Sequence, residues 1–291
     1  MRVREPAVAG QFYPGSADRC REEVKALLAD ALAPAYENEK LVGGLVPHAG
    51  WSYSGAIAAG VFRTLAASGL PDVIVLFGAV HRSRIEHAAV FGDGSWDTPI
   101  GSVPIDARLA ERILGQTNLI RDDHFAHESE HSAEVQMPFI VELFPQAKVV
   151  PIMVPPGPRA PHVGDAVART LSSYGYNALI VGTTDLTHYG PSYGFTPQGV
   201  DAQGIAWAKE NNDRRLIEMI CAMRGDQIVA EVLAHRNACG AGAIAATIAA
   251  CAGLGATRGI LLEHTTSAEI MAGRGCAGAR DSVGYAGVVF A

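Results

Sequence analysis

The sequence predicts an α/β protein in which helices cover both faces of a largely parallel central sheet. Segments typical of buried strands alternate along the chain with segments of helical periodicity, the order that βαβ units produce. The clearest strand, residues 73–77, is apolar at every position, and such runs are typical of strands buried on both faces. Because no Pro/Gly/Ser-rich linker or block of charge interrupts the chain, we expect residues 1–291 to form a single three-layer domain.

The individual elements follow from local signals. Ser16 is a suitable N-cap for a first helix that ends near Leu32, since apolar residues follow it at helical spacing. The small residues of segment 55–65 predict a tightly packed helix, Asp106 opens a short helix that ends at residue 114, and the glycine-rich segment 92–101 predicts a loop. The other predicted helices span residues 161–173, 201–223, 226–234 and a segment opened by Cys239, and the predicted strands span residues 41–46, 72–78, 87–91, 148–154, 259–262 and 284–290, with one more beginning at Ala178.

Composition excludes several classes of protein. The net charge is −7 and lysine and arginine form no cluster, so the footprint of a nucleic-acid or anionic-membrane binder is missing. No apolar stretch approaches the roughly 20 residues that span a bilayer, and we expect a cytoplasmic protein because the five cysteines are odd in number and lack CxxC pairing. Neither GxSxG nor GxxxxGK[ST] occurs, which argues against a serine hydrolase and a P-loop nucleotidase.

Three predicted strands each deliver polar residues at their carboxyl ends. The first is followed by His48, the second by His81 and the third by Asp185 and His188. In open α/β sheets the chemistry lies just beyond these strand ends, so we expect one polar site there. A histidine cluster permits metal binding or general base catalysis.

Cys239 is a further candidate because it precedes a small-residue helix, and helix N-termini favour the thiolate form. The same segment carries Gly240, Gly242 and Ala245 in a GxGxxA pattern. A dinucleotide fingerprint requires a strand immediately before it, whereas residues 226–234 have helical spacing, so nucleotide binding is the weaker interpretation.

A third group of polar residues lies between the short strand and the strand at 148–154. His124, His127 and His131 would share a face of one helix, but no helix signal precedes Ser129. We therefore expect His124 and His127 in a loop, with His131 and Glu134 opening the next helix and facing the site.

Six ordered motifs resemble the Memo family over essentially the whole chain. They are AVAGQFYPG, PHAGWSYSG, GAVHRSR, ESEHSAEVQMPF, GTTDLTHYG and NACGAGA. The family is also known as protein B of the AmmeMemoRadiSam gene grouping, and it is similar in fold to class III extradiol dioxygenases.

The resemblance implies a metal site in a cleft. Its metal ligands fall on His48, His81 and Cys239, and its remaining polar positions fall on Asp185 and His188, with His188 at the position of the dioxygenase base. The second motif adds Trp51 and Tyr53 as candidate pocket residues. Trp51 and His264 stand where family members commonly have tyrosine.

A thiolate in place of the carboxylate of extradiol enzymes favours iron or copper in a redox role. The resemblance therefore implies an O₂-dependent or otherwise oxidative metalloprotein that acts on a small molecule or cofactor, with a radical SAM enzyme as a partner. Two alternatives remain open. One is extradiol cleavage of a catechol, and the other is a non-enzymatic module that binds a peptide or protein in the same cleft.

Overall fold

The computed structural model describes residues 2–31, 36, 39–276 and 278–291. Strands and helices alternate as the sequence predicts. The strands are β1 Val3–Arg4, β2 Gly43–Val46, β3 Val73–Gly78, β4 Ala88–Val90, β5 Ser95–Thr98, β6 Gly101–Pro104, β7 Ile120–Asp122, β8 Lys148–Met153, β9 Ala178–Thr183, β10 His188–Tyr189, β11 Gly259–Thr266 and β12 Ser282–Phe290. The α-helices are α1 Ala17–Asp30, α2 Trp51–Ala67, α3 Ala107–Gln116, α4 Met137–Leu143, α5 Ala160–Tyr174, α6 Ala202–Trp207, α7 Arg214–Cys221, α8 Gly225–His235, α9 Ala241–Gly253 and α10 Ser267–Gly273.

The central sheet has the order β10-β12-β2-β9-β3-β8-β4-β7 in the described chain, and β11 pairs with β12 outside this order. The inner strands β2, β9, β3 and β8 are parallel, whereas β12 joins β2 and β4 joins β8 in antiparallel fashion. The predicted α/β fold is confirmed, with a parallel centre and antiparallel flanks. The carboxyl ends of β2, β9 and β3 meet at one edge, which fixes the place of the site.

Two apolar layers sandwich this sheet. Along β3, Val73, Val75 and Phe77 face one side and pack with α3, α5, α7, α8 and α9, while Ile74 and Leu76 face the other side with α1, α2 and α4. This alternation follows from the two-residue period of a strand. Within the described residues, no helix combines the length and the apolarity needed to cross a bilayer.

The predicted loop at residues 92–101 is wrong, because this segment contains β5 and leads into β6. The two strands form an antiparallel hairpin, and β1 adds to β5. Gly94 has φ +95° and packs against the backbone of Arg2, so its glycine signal marks a close backbone approach. Trp96 of β5 is fully buried, which gives the hairpin its own apolar anchor.

The helix predicted at residues 201–223 is interrupted. A π-helix, residues 208–213, separates α6 from α7, and Asn212 and Asp213 at its end are both buried. The wider turn allows both side chains to face the protein interior, where each bonds to Thr187.

Other element boundaries also shift. The described part of α1 ends at Asp30, and its predicted end at Leu32 lies outside the described residues. His124–His127 form a 3₁₀ turn instead of a loop, and the helix expected to open at His131 begins only with the 3₁₀ turn at Glu134. Helix α8, and not a strand, precedes the GAGAIA segment, so the requirement of a dinucleotide fingerprint is not met.

Candidate metal centre

The carboxyl ends of the three parallel strands bring their polar residues together. His48 follows β2 and His81 follows β3, and their ring centroids lie 5.0 Å apart. Between them, β9 delivers Asp185, whose Oδ1 accepts a hydrogen bond of 2.8 Å from the backbone N–H of His48.

His131 joins these two histidines from a different part of the chain. Its ring centroid lies 4.7 Å from that of His81 and 5.4 Å from that of His48. One nitrogen from each of the three rings lies within 4.8 Å of the others. His48 is buried, while the His81 side chain is 25% exposed, so the cluster is open to solvent on the His81 side.

Glu130 organises two of the three rings, and sequence reasoning missed it. Its Oε1 lies 3.0 Å from Nδ1 of His81 and 3.4 Å from Nδ1 of His131. Its carboxylate also accepts the backbone N–H groups of His81 at 2.6 Å and Ser132 at 2.9 Å. Burial opposes ionisation of Glu130, but the His81 side chain and these N–H donors together hold its pKa below the usual range. With Nδ1 of His81 engaged in this hydrogen bond, the Nε2 atom of His81 remains available to a ligand.

Cys239 approaches the cluster from the His48 side. Its Sγ lies 3.1 Å from Nε2 of His48 and accepts the Asp185 N–H at 3.3 Å. The Cys239 N–H donates to the Asp185 carbonyl at 3.2 Å, and the next residue, Gly240, donates to Oγ1 of Thr184 at 3.1 Å. A Cβ on Gly240 would lie 2.5 Å from the Thr183 carbonyl oxygen, so this approach requires glycine.

The expected effect of helix α9 on the Cys239 thiol is outweighed by burial. Burial, followed by the charge of Asp185, raises the pKa of Cys239 above its usual range, because a thiolate there would lose its hydration. The sequence-based expectation of a thiolate therefore fails for the protein alone. A bound cation would restore the thiolate form.

The donor set fits a transition metal. Burial, reinforced by the charge of His81, lowers the pKa of His48 well below its usual value and that of His131 to about 4. Both rings are therefore neutral at pH 7 and can offer a lone pair. Nδ1 of His48 is buried without a hydrogen-bond partner among the described residues. Imidazole nitrogens beside a thiol match the preferences of iron, copper and zinc.

His188 lies beside this cluster in a form suited to accept a proton. Its Nδ1 lies 3.0 Å from the Leu186 carbonyl oxygen. Since a carbonyl can only accept, Nδ1 carries the hydrogen and Nε2 of a neutral ring carries the lone pair. Asp185 is buried, and burial raises its pKa despite the hydrogen bonds from the His48 and Ala49 N–H groups.

Tyr193 is one of the residues that line a cavity of about 280 Å³. The ring centroid of Tyr193 lies 5.1 Å from that of His188. Tyr53, Tyr285 and Asp281 also line the cavity. Burial, followed by the charge of Asp185, raises the pKa of Tyr285, which places its hydroxyl within electrostatic range of the site.

The remaining predicted pocket residues have other roles. Trp51 is buried, and its Nε1 donates to the Val135 carbonyl at 3.0 Å. Glu134 does not face the histidine cluster, because its carboxylate is paired with the buried guanidinium of Arg4. His264 contacts Asp213 at 3.1 Å.

Comparison with known proteins identifies the family of this chain. The model of the family described as Memo-like protein matches residues 4–289. The MEMO1 family protein of Pyrobaculum aerophilum is 35% identical over 298 residues, which cover 100% of this chain and 99% of that protein. The MEMO1 family protein of Methanopyrus kandleri is 33% identical, with 99% and 98% covered, and that of Methanothermobacter thermautotrophicus is 35% identical, with 98% and 99% covered. The chain therefore belongs to the Memo family, which its ordered motifs resemble.

Proposed function

We propose that this Memo family member binds a redox-active iron or copper ion and oxidises a small molecule with O₂ as the electron acceptor. The observation that supports this most is the buried Nδ1 of His48, which has no partner in the described part of the chain, in a cluster of three imidazoles next to a thiol. His48, His81 and Cys239 are the proposed ligands, and His131 is placed to add a fourth. When bound, such an ion supplies the electron transfer that an oxidation needs.

The protein's own groups handle protons and orientation. His188 lies against Tyr193 of the cavity wall. Nε2 of His188 is the proposed proton acceptor, because its Nδ1 hydrogen is held by the Leu186 carbonyl. Asp185 fixes the backbone of His48, because its carboxylate accepts the His48 N–H. Glu130 sets the ring orientation of His81 through a hydrogen bond, and its Oε1 lies 3.4 Å from Nδ1 of His131.

The cavity lined by Tyr193 is the proposed place for the substrate. Three tyrosines and Asp281 line it, and no lysine, arginine or histidine does so in the part of the chain that the structure describes. Without a basic group, the lining has nothing to pair with a phosphate or carboxylate. A small uncharged molecule with an aromatic or hydroxylated body fits this lining best.

Extradiol ring cleavage is not favoured by this donor set. Enzymes of that type bind Fe(II) through two histidines and a carboxylate. The carboxylates beside the cluster are Glu130 and Asp185, and both hold backbone N–H groups. A purely peptide-binding module would have no use for the histidine arrangement, so its test is whether metal binds at all.

The location that we propose is the cytoplasm. All five cysteines are unpaired, as is usual in a reducing compartment. A disulfide framework is not needed for a core of this size.

The decisive experiment is metal analysis by mass spectrometry on anaerobically purified protein. We expect near-stoichiometric iron or copper in the wild type, loss of metal in Cys239→Ala, and retention of metal with reduced turnover in His188→Ala. Cys276→Ala is the matched control, because that thiol is exposed and its loss should leave the metal in place. Absence of metal from the wild type after reconstitution with Fe(II) or Cu(I) would refute the proposal and favour the binding module.

A further inference from the structure

Arg4 is a buried arginine whose guanidinium binds several groups of one distant segment. It is 3% exposed and lies 4.5 Å from the centroid of the Trp96 ring. Its Nε donates to the His127 carbonyl at 3.0 Å and its Nη2 to the Glu130 carbonyl at 2.8 Å. Its Nη1 pairs with Glu134 at 2.5 Å. One side chain thus spans residues 127 to 134.

Glu134 ties the same segment back to the amino-terminal residues. Besides Arg4, its carboxylate accepts the N–H groups of Ala7 and Val8, each at 2.9 Å. It also accepts the hydroxyl of Tyr13 at 2.9 Å. Segment 4–13 and segment 127–134 are therefore joined through a buried ion pair and six further hydrogen bonds.

The segment held in this way carries two parts of the proposed metal centre. These parts are Glu130, whose backbone carbonyl accepts from Arg4, and His131, which lies between Glu130 and the paired Glu134 in the sequence. Phe12, from the amino-terminal segment, also packs on His131, with ring centroids 4.8 Å apart. Glu130 and His131 are thus both held by contacts from the amino-terminal segment.

We propose that Arg4 is a positioning residue for the metal centre, acting through the Glu130 backbone to set where Glu130 and His131 stand. This inference rests on the proposed function, since it assumes that the cluster binds a metal. The planar fork of arginine reaches three carbonyls of this segment and one carboxylate together, which the single ammonium of lysine cannot do. A buried ion pair is costly to form, and geometric control of the site accounts for its presence here.

The test is Co(II) titration of the full-length protein with absorption spectroscopy. Arg4→Lys keeps the charge opposite Glu134 and removes the fork. We expect a loss of Co(II) affinity of roughly tenfold or more, the range found for changes in the groups that orient metal ligands. We also expect a changed ligand-field spectrum at full occupancy, which a uniform loss of stability would not produce.

Arg63→Lys is the matched control. Arg63 also donates to three backbone carbonyls, those of Leu28, Ala29 and Ala31, but it lies roughly 18 Å along α2 from Trp51. We expect wild-type affinity and spectrum for this variant.

The outcomes separate the two proposals. If the wild type binds no Co(II), the proposed function fails and this inference fails with it. If the wild type binds but a folded Arg4→Lys has the same affinity and spectrum, only the role of Arg4 is refuted. If Arg4→Lys does not fold, Glu134→Gln decides, because it removes the charge that pairs with the Arg4 guanidinium and leaves the residues of the metal centre in place. An altered spectrum then supports positioning by Arg4, and an unaltered one overturns it.

Discussion

Glu130→Gln is expected to weaken metal binding roughly 10- to 100-fold, or about 1.4–2.7 kcal/mol. The wild-type carboxylate has two acceptor oxygens, which serve the Nδ1 atoms of His81 and His131 and the N–H groups of His81 and Ser132. An amide has only one. If the amide oxygen of Glu130→Gln stays beside the two rings and the Ser132 N–H, its NH₂ group faces the His81 N–H. In the wild type this N–H donates to a carboxylate oxygen at 2.6 Å. One donor is then left unpaired, and the negative charge that polarises both rings is gone.

The assay is competition between the protein and a chelator for Co(II), with thermal unfolding measured in parallel. Loss of one buried hydrogen bond should also lower the free energy of unfolding by about 1–3 kcal/mol. Ile113→Val, at a fully buried position of α3, controls for this by costing about 1 kcal/mol without touching the site. If Glu130→Gln binds Co(II) as tightly as Ile113→Val does, the role assigned to Glu130 is wrong.

Two further predictions concern stability. Burial lowers the pKa of His127 to about 3, although its ring bonds to the Ala89 carbonyl. Because the unfolded chain takes up the proton first, His127 should lower the free energy of unfolding by about 1.4 kcal/mol per pH unit as pH falls from 6.5 towards 3. In the metal-free protein, the stability of His127→Gln should therefore fall less steeply with acid than that of the wild type, and an equal slope would contradict the assignment. Gly240→Ala should destabilise the protein by about 1–3 kcal/mol, because the added methyl group clashes with the Thr183 carbonyl. Gly115→Ala is the control and should be neutral or stabilising, because its added methyl group meets open space in α3. Equal melting temperatures for the two variants would be inconsistent with the packing described.

The strand-end residues of the site could be predicted because local patterns place them. His48, His81 and Asp185 each follow a short apolar run that is unambiguous as a buried strand. Parallel neighbours then bring these ends to one edge without further information. The position of Cys239 ahead of a small-residue helix was accessible for the same reason.

Glu130 could not be predicted, because its burial depends on contacts from distant segments. It lies in a run of glutamates and histidines that is typical of a solvated surface. It is buried because Arg4 and the amino-terminal segment cover that run. The signal that could have found it is the acidic residue immediately before His131, since histidine ligands commonly have a carboxylate partner.

The hairpin of β5 and β6 and the π-helix were missed for different physical reasons. Gly94 and Gly101 are turn signals that also fit a hairpin. The π-helix is stabilised by Asn212 and Asp213 bonding to Thr187 of another segment. Tertiary contacts of this kind leave no trace in helical periodicity.

The pairing of β2 sets an order on how the molecule can form during synthesis. Leu45 pairs with Val288 on one side and with Gly182 on the other. At the usual elongation rates of about 5–20 residues per second, β12 is synthesised roughly 10–50 s after β2. The edge of β2 that pairs with β12 is unpaired during this time. This contact has a very long sequence separation, which slows folding. During that interval the β2 backbone presents open hydrogen-bonding groups to other chains, so the newly made protein should depend on chaperone protection more than its finished stability suggests.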